Sequence, residues 1–200
     1  MTVWLTSDTH FGHANILHLG EGRPFDDIQK HNEMIVKNWN DRVSHDDVVF
    51  HLGDVALGPW PDGLDYVRRL AGYKVLVPGN HDRISSVEKQ ARRDRFYVDY
   101  AEVFDDIADE VTEFQFNSGE VVSLSHYPYV GDSHDGDRFT HIRGVDEGVP
   151  RVHGHNHCQP DERESFTPNG TPQLAVGVDA WGFAPVPENE VLEWLGRVTL

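Results

Sequence analysis

The chain has 200 residues, the size of one ordinary domain, and its 17 Lys and Arg against 34 Asp and Glu give a net charge of −17. This charge argues against duplex nucleic acid gripped by a basic face and against an anionic membrane surface as partner. The single cysteine, Cys158, excludes an intrachain disulfide and a thiolate zinc site. The length predicts a single domain, 1–200. Because the N-terminus has no basic segment followed by an apolar one, and no long apolar run is present, we expect a cytoplasmic protein.

Three strand–loop–helix units are predicted in the first eighty residues. Short apolar runs predict strands at Val3–Thr6, Asp47–Leu52 and Lys74–Val77. The helix after the first strand is expected to begin with Asp26 as its N-cap, and the next one near Pro61. This alternation predicts an α/β fold with parallel strands, in which ligands bind beyond the carboxyl ends of the strands.

The second half of the chain is predicted to be rich in strands. A short helix over Ser86–Arg95 precedes it, and residues 114–116 and 121–124 form a predicted β-hairpin around Asn117-Ser118-Gly119. Further strands are predicted at Arg151-Val152, Gln173–Val178 and Val191–Leu195, with a polar loop over Asp161–Pro172. This half therefore predicts an antiparallel or mixed sheet.

Each of the first three strands is followed by polar side chains that can bind metal. Asp8 and His10 follow the first strand, and Asp54 follows the second within Leu52-Gly53-Asp54. Asn80 and His81 follow the third within Gly79-Asn80-His81-Asp82. The same arrangement, a potential metal ligand after a strand, occurs three times, and in two cases a glycine precedes the ligand. This repetition favours one common site over chance placement.

The strand-rich half adds histidines in two places. His126 follows the apolar run 121–124, and His155 and His157 lie in His153-Gly154-His155-Asn156-His157. Two residues apart on an extended segment, His155 and His157 leave the same face of the chain. This arrangement fits metal ions better than it fits a hydrophobic core.

The polar residues described above form five blocks in the sequence, namely Asp8-x-His10, Gly53-Asp54, Gly79-Asn80-His81-Asp82, His126 and Gly154-His155-x-His157. In this order they resemble the calcineurin-like metallophosphoesterase superfamily, and the run from Thr6 to Ile16 is similar to its compact bacterial and phage members. The resemblance covers residues 8–157. It implies a four-layer α/β/β/α sandwich with two mixed β-sheets and a dinuclear metal site at the sheet edge.

The resemblance also implies a ligand set for two divalent ions. It assigns Asp8, His10 and His157 to the first metal, Asn80, His126 and His155 to the second, and Asp54 as a bridge. Mixed carboxylate, imidazole and amide ligands favour Mn²⁺, with Fe or Zn²⁺ as alternatives. Two metals about 3.5–4 Å apart can clamp a phosphate and lower the pKa of a shared water toward ~7.

The implied reaction is in-line attack of metal-bound hydroxide on phosphorus, with His81 as general acid and Asp54 holding both metals. We expect phosphodiester substrates, in particular small or cyclic nucleotides such as 2′,3′-cyclic nucleotides, because no basic track is available for a polymer. A phosphomonoesterase or a nuclease is the alternative within enzymes. A catalytically inactive protein-binding scaffold is the alternative outside them.

Three polar residues near the first block, His13, Asn15 and Arg23, could contact the substrate phosphate or could cap the segment that follows. Residues 55–58, which follow Asp54, lack the Asp and Arg found in serine/threonine protein phosphatases, and this argues against that activity. The carboxylate partner of His81 therefore stays open, with Asp82 as one candidate. The oligomeric state is also left open.

Overall fold

The structure is a computed structural model that describes residues 1–134 and 136–199. The strands are β1 (Val3–Thr6), β2 (Val48–His51), β3 (Tyr73–Leu76), β4 (Asp106–Ile107), β5 (Val111–Gln115), β6 (Val121–Ser125), β7 (Arg151–His153), β8 (Glu164–Phe166), β9 (Pro172–Ala175) and β10 (Val186–Pro187). The helices are α1 (Ile28–Asn40), α2 (Asp62–Val67), α3 (Gln90–Ala101) and α4 (Glu188–Val198). Two short 3₁₀ turns cover Ala14–Leu17 and Val178–Trp181.

The first sheet has the strand order β10-β1-β2-β3-β4. Strands β1 to β4 are parallel, and β10 runs antiparallel to β1 at one edge. The predicted parallel arrangement of the first three strands is therefore confirmed. Since parallel strands end at the same edge, the segments after β1, β2 and β3 all emerge on one side of this sheet.

The second sheet has the order β5-β6-β7-β9-β8. The predicted hairpin is present as β5 and β6, whereas β6, β7 and β9 run parallel to one another. Strand β8 pairs antiparallel with β9 and lies inside the segment predicted as a loop. The fold is thus α/β with two mixed sheets, as expected.

Helix α1 begins one residue later than the sequence pattern predicts. Its N-cap is Asp27, which has an extended backbone and accepts a hydrogen bond from the Lys30 N–H at 2.8 Å. Asp26 instead pairs with the Lys30 ammonium on the exposed surface. On the opposite face Ile35 and Trp39 are buried in the core, as the apolar spacing predicts.

The predicted strand at Val191–Leu195 is wrong, because these residues belong to helix α4. Val191, Trp194 and Leu195 are buried, and their spacing of three and four residues matches one face of a helix. Glu188 and Glu190 in the first turn favour the helix through its dipole. Helix α3 likewise extends from Gln90 to Ala101, beyond the predicted Ser86–Arg95.

Two hydrophobic cores hold the layers together. In the first core, Ile35 and Trp39 of α1 and Tyr100 of α3 pack against Val49 and Leu76 of the first sheet. The second core lies between the two sheets and contains apolar side chains of both sheets and of α4, namely Leu5, Leu52, Val122, Leu124, Val152, Leu174 and Trp194. Burying each such side chain stabilises the fold by roughly 1.5–3 kcal/mol. The sheets therefore face each other, with α1 to α3 on the outer side of the first.

The other face of the second sheet carries polar side chains that bind an irregular segment. Arg151 of β7 donates to the Tyr127 carbonyl at 3.0 Å, and Gln173 of β9 accepts from the Tyr129 N–H at 2.6 Å. These hydrogen bonds hold the segment between β6 and Asp132 against the second sheet. No helix among the described residues is long and apolar enough to cross a membrane.

Candidate metal centre

All seven predicted metal ligands lie immediately after strands, at the edge where the two sheets meet. Asp8 and His10 follow β1, Asp54 follows β2, Asn80 follows β3, His126 follows β6, and His155 and His157 follow β7. The two sheets are joined here by hydrogen bonds, since the Ser7 hydroxyl and the His126 Nδ1 both donate to the Leu52 carbonyl at 2.8 Å.

The first group of donors consists of Asp8, His10 and His157. The Nε2 atoms of His10 and His157 lie 3.9 and 3.8 Å from Asp8 Oδ1, and one ligand atom from each of the three residues lies within 4.8 Å of the others. Asp8 Oδ1 and His10 Nε2 are buried and have no hydrogen-bond partner within residues 1–134 and 136–199. Buried polar atoms without partners are costly, so these donors fit a bound cation.

The second group consists of Asn80, His126 and His155. His126 Nε2 lies 3.2 Å from Asn80 Oδ1 and 3.2 Å from His155 Nδ1. Because the Leu52 carbonyl can only accept, the proton of His126 resides on Nδ1 and its Nε2 keeps a lone pair. An amide oxygen and two imidazole nitrogens thus converge on one point.

Asp54 lies between the two groups. Its Oδ2 is 3.7 Å from His10 Nε2 and 3.5 Å from His126 Nε2, while Oδ1 accepts a hydrogen bond from the His81 N–H at 2.9 Å. One oxygen therefore faces donors of both groups, which is the position that a bridging carboxylate requires.

Five of the seven described non-glycine residues with positive φ are in these groups. Asp8, His10, Asp54, His155 and His157 have φ between 46° and 73°. This left-handed region costs a non-glycine residue of order 1–3 kcal/mol and is found where the surrounding structure holds a functional geometry. Its occurrence at five of the seven proposed ligands therefore fits a functional site.

Two glycines allow the close packing of the carboxylates. A Cβ at Gly154 would lie 1.9 Å from Ser7 Oγ and 2.5 Å from Asp8 Oδ2. A Cβ at Gly79 would lie 2.4 Å from Asp54 Oδ1. Backbone N–H groups approach instead, such as that of His155, which donates to Asp8 Oδ2 at 3.0 Å.

His157 is held from behind by a buried carboxylate. Its Nδ1 lies 2.9 Å from Asp179 Oδ2, so Nε2 is the nitrogen that faces Asp8. Burial disfavours a charged ring, but the hydrogen bond to Asp179 and the charge of Asp8 outweigh it and raise the pKa of His157. Arg23 donates to both oxygens of Asp179 at 2.7 and 2.8 Å and thereby fixes this carboxylate.

His155 has a similar partner from another part of the chain. Its Nε2 lies 3.2 Å from Asp132 Oδ2, which leaves Nδ1 facing the second group. Asp132 is in turn bound by Arg138 at 2.7 Å and by Arg143 at 2.8 Å. Burial would raise the pKa of Asp132, but Arg138 and His155 lower it well below its usual value. No local sequence pattern distinguishes Asp132 or Asp179 as partners of the histidines.

The expected substrate-contacting residues have three different surroundings. Arg23 donates through all five N–H groups within the protein, to Asp179 twice and to the Asp8 carbonyl, the Thr9 carbonyl and His31, which leaves none for a phosphate. His13 is half-buried, with Nδ1 3.3 Å from His10 Nδ1. Asn15 is exposed and lies outside the residues that line the cleft.

His81 is accessible from solvent and lies close to the bridging position. Its side chain is 44% exposed, and its Nε2 is 3.9 Å from Asp54 Oδ2, the only carboxylate of the described residues within 4.0 Å. Asp82 is not its partner, since its oxygens accept from the Asp54, Gly79 and Val55 N–H groups. Burial and the charge of Asp54 raise the pKa of Asp82 to about 7.

The donor groups lie in a cleft of about 550 Å³, a volume that accommodates a small ligand. His10, Asp54, Asn80 and His81 line its metal-facing part. The segment that leads to Arg23 and the segment around Arg138 also line the cleft. Metal ions and a small phosphate ester could therefore share this space.

Comparison with known proteins identifies the family. A family model described as calcineurin-like phosphoesterase matches residues 1–182. The gene 66 protein of Mycobacterium phage D29 is 34% identical over 200 residues, which cover 98% of this chain and 96% of that protein. The gene 66 protein of Mycobacterium phage L5 is 31% identical over 186 residues, with coverages of 90% and 87%.

A solved structure has the same fold over almost the whole chain. It is a protein of unknown function from Aquifex aeolicus, with a TM-score of 0.72 and 25% identity, covering 96% of this chain and 98% of that one. With the family model and both phage relatives spanning most of its length, this chain belongs to the calcineurin-like phosphoesterase family, whose members use divalent metal ions to hydrolyse phosphoester bonds.

Proposed function

We propose that this protein hydrolyses phosphodiesters of small or cyclic nucleotides, such as 2′,3′-cyclic nucleotides, with the help of two divalent ions, of which Mn²⁺ is favoured. The observation that carries the proposal is the convergence of unpartnered donor atoms at the base of one cleft, with Asp54 Oδ2 between two groups of donors.

Seven residues of the chain would hold the ions. Asp8, His10 and His157 form the first site, Asn80, His126 and His155 form the second, and Asp54 contributes to both. When bound, the ions would polarise the phosphate and lower the pKa of a coordinated water. The mixture of imidazole, amide and carboxylate donors supports Mn²⁺, Fe or Zn²⁺ over Mg²⁺ or Ca²⁺.

The chain supplies the proton for the leaving group through His81. Its ring is exposed to the cleft and lies 3.9 Å from the bridging carboxylate oxygen, so it can protonate an alkoxide that departs from a phosphate held at the centre. Asp54 orients the same region, since its other oxygen accepts from the His81 backbone N–H at 2.9 Å.

The charges around the cleft support a small substrate. Glu21 and Glu162 line it, and Arg23 has no N–H group left to offer. A polymer would need a track of cations along its backbone. The overall charge of −17 opposes such binding as well.

The test is a substrate panel with protein stripped by a chelator and reloaded with Mn²⁺, Fe²⁺ or Zn²⁺. The panel contains 2′,3′- and 3′,5′-cyclic nucleotides, nucleoside monophosphates and single-stranded oligonucleotides. We expect the cyclic nucleotides to have the highest kcat/KM and Asp54→Asn to abolish turnover, with Asp146→Asn, which does not line the cleft, as the matched control.

Other outcomes would contradict the proposal in distinct ways. A preference for monophosphates would indicate a phosphomonoesterase, and cleavage of oligonucleotides above all others would indicate a nuclease. No hydrolysis with any metal would favour a protein-binding scaffold.

A further inference from the structure

The cleft is lined by residues of two different chemistries besides the proposed metal ligands. Ile16, Leu19 and Leu57, which we call the apolar wall, line it, and so do Arg138 and Ser133. None of these five residues is a proposed metal ligand, so they are available to contact a substrate.

The apolar wall presents a large exposed side chain. Leu19 is 55% exposed, although Ile16 beside it is 4% exposed and fixed in the protein. Leu19 and Gly20 follow the 3₁₀ turn Ala14–Leu17, and both residues line the cleft. Apolar side chains beside a few polar groups are the usual lining of a cleft that binds a small organic ligand.

The guanidinium of Arg138 is fixed in orientation. Its Nε and Nη2 donate to Asp132 Oδ1 at 3.0 and 2.7 Å, and its backbone N–H donates to Asp132 Oδ2 at 3.0 Å. Within the described ranges, no residue accepts a hydrogen bond from its Nη1. The side chain is 40% exposed, so this amino group can donate to a ligand in the cleft.

Arg138 is also close to the metal centre. Asp132, which holds its guanidinium, lies 3.2 Å from Nε2 of His155. A substrate with its phosphate at the metal-facing part of the cleft would therefore extend toward Arg138. Because Glu21 and Glu162 line the same cleft, a second phosphate there would meet carboxylates as well as one arginine.

We propose that Leu19, Ile16, Leu57 and Arg138 form a subsite for the nucleobase of the substrate, a planar uncharged ring with hydrogen-bond acceptors on its edge. The face of the ring packs on the apolar wall, and Arg138 Nη1 donates to a ring nitrogen or carbonyl oxygen. This inference rests on the proposed function, which it extends from the reacting phosphate to the organic group.

The experiment compares two cyclic phosphates with the same reacting five-membered ring. Adenosine 2′,3′-cyclic phosphate carries a base, and glycerol 1,2-cyclic phosphate does not. The readout is the ratio of their kcat/KM values, measured by ³¹P NMR with the Mn²⁺-loaded protein. A loss of metal or of folding lowers both values alike and leaves this ratio unchanged.

We expect the wild-type ratio to favour the nucleotide, and Leu19→Ser and Arg138→Gln each to reduce it about tenfold, mainly through the KM of the nucleotide. Val145→Ser, at an exposed position outside the cleft, is the control for Leu19→Ser. An unchanged ratio in both variants would overturn the subsite, whether or not the two kcat/KM values fall together.

A binding measurement separates this inference from the proposed activity. Saturation-transfer NMR with adenosine, which has no phosphate, reports the subsite without turnover. Adenosine binding that is lost in Leu19→Ser supports the subsite even if neither ester is hydrolysed, in which case only the activity is refuted. Absence of adenosine binding to the wild type would overturn the subsite.

Discussion

The carboxylate of Asp179 offers the most direct test of the metal centre, because it touches the proposed ligand His157 and is not itself a proposed ligand. It accepts from His157 Nδ1 at 2.9 Å, and Arg23, which it binds, also donates to the Asp8 carbonyl at 2.7 Å. The substitution Asp179→Asn keeps the size of the side chain and removes its charge. Two proposed ligands of the first metal, and none of the second, are then less firmly held.

The expected loss follows from the role of such partners in metal sites. Removing a carboxylate that orients a metal-binding histidine lowers metal affinity by about 10–100-fold, or roughly 1.4–2.8 kcal/mol. We expect the upper part of this range at the first site, since both His157 and Asp8 are affected through Asp179 and Arg23. The affinity of the second site should change little.

The assay is a calorimetric titration of chelator-treated protein with Mn²⁺. Asp132→Asn is the mirror variant and should weaken the second site, because Asp132 lies 3.2 Å from His155 Nε2. Asp146→Asn, whose partly buried carboxylate binds Thr167 and Thr171 and does not line the cleft, controls for the loss of a hydrogen-bonded carboxylate charge. Circular dichroism confirms that each variant is folded at the temperature of the titration.

Either of two results would refute the reasoning. If Asp179→Asn and Asp132→Asn weakened the same site, or if neither changed Mn²⁺ affinity, the two carboxylates would not orient separate metal ligands.

Three further predictions follow from the same structure. His81→Ala should retain Mn²⁺ and lose about 10²–10⁴-fold in kcat for alkyl esters and much less for p-nitrophenyl esters; equal losses would exclude a general acid. Gly154→Ala should abolish Mn²⁺ binding, because its Cβ would lie 2.5 Å from a ligand oxygen, whereas Gly196→Ala, in open space on α4, should raise the unfolding free energy by about 0.5–1 kcal/mol in urea titrations. Burial lowers the pKa of His51 to about 3 and of His153 to about 4, so the unfolded chain takes up protons below about pH 6.5 that the folded chain does not. The unfolding free energy of chelator-treated protein should therefore fall between pH 6.5 and 5, by up to about 1.4 kcal/mol per pH unit for each ring, and a flat profile in urea titrations would contradict this.

The site residues that could be predicted from the sequence are those that follow a predicted strand within a few residues. Asp8, Asp54 and Asn80 each follow a short apolar run within a few residues, and parallel strands bring such positions to one edge. The helical arrangement around the first sheet follows from the same alternation of patterns. Local order along the chain was therefore enough to place these residues together.

Other features depend on contacts between distant segments. Asp132 reaches His155 from 23 residues away, and Asp179 reaches His157 from 22 residues away, with no local pattern that distinguishes them from other loop acids. Arg23 binds Asp179 across 156 residues, so its full set of partners could not be predicted from its neighbours. The error at Val191–Leu195 has a simpler cause, because a five-residue segment with four apolar residues and one glutamate fits both a strand and one face of a helix.

The left-handed backbone conformation of the proposed ligands lowers the stability of the fold at positions where the side chains are needed to bind metal. At Asp8, His10 or His157, glycine would relieve a conformation that costs of order 1–3 kcal/mol, and would remove a metal donor at the same time. Random mutants screened only for heat resistance without metal should therefore accumulate glycine at these positions. Under selection for metal binding, the Asp and His residues at these positions should be retained. The amino acids at these positions in a related chain therefore indicate whether that chain has been selected for metal binding or for stability alone.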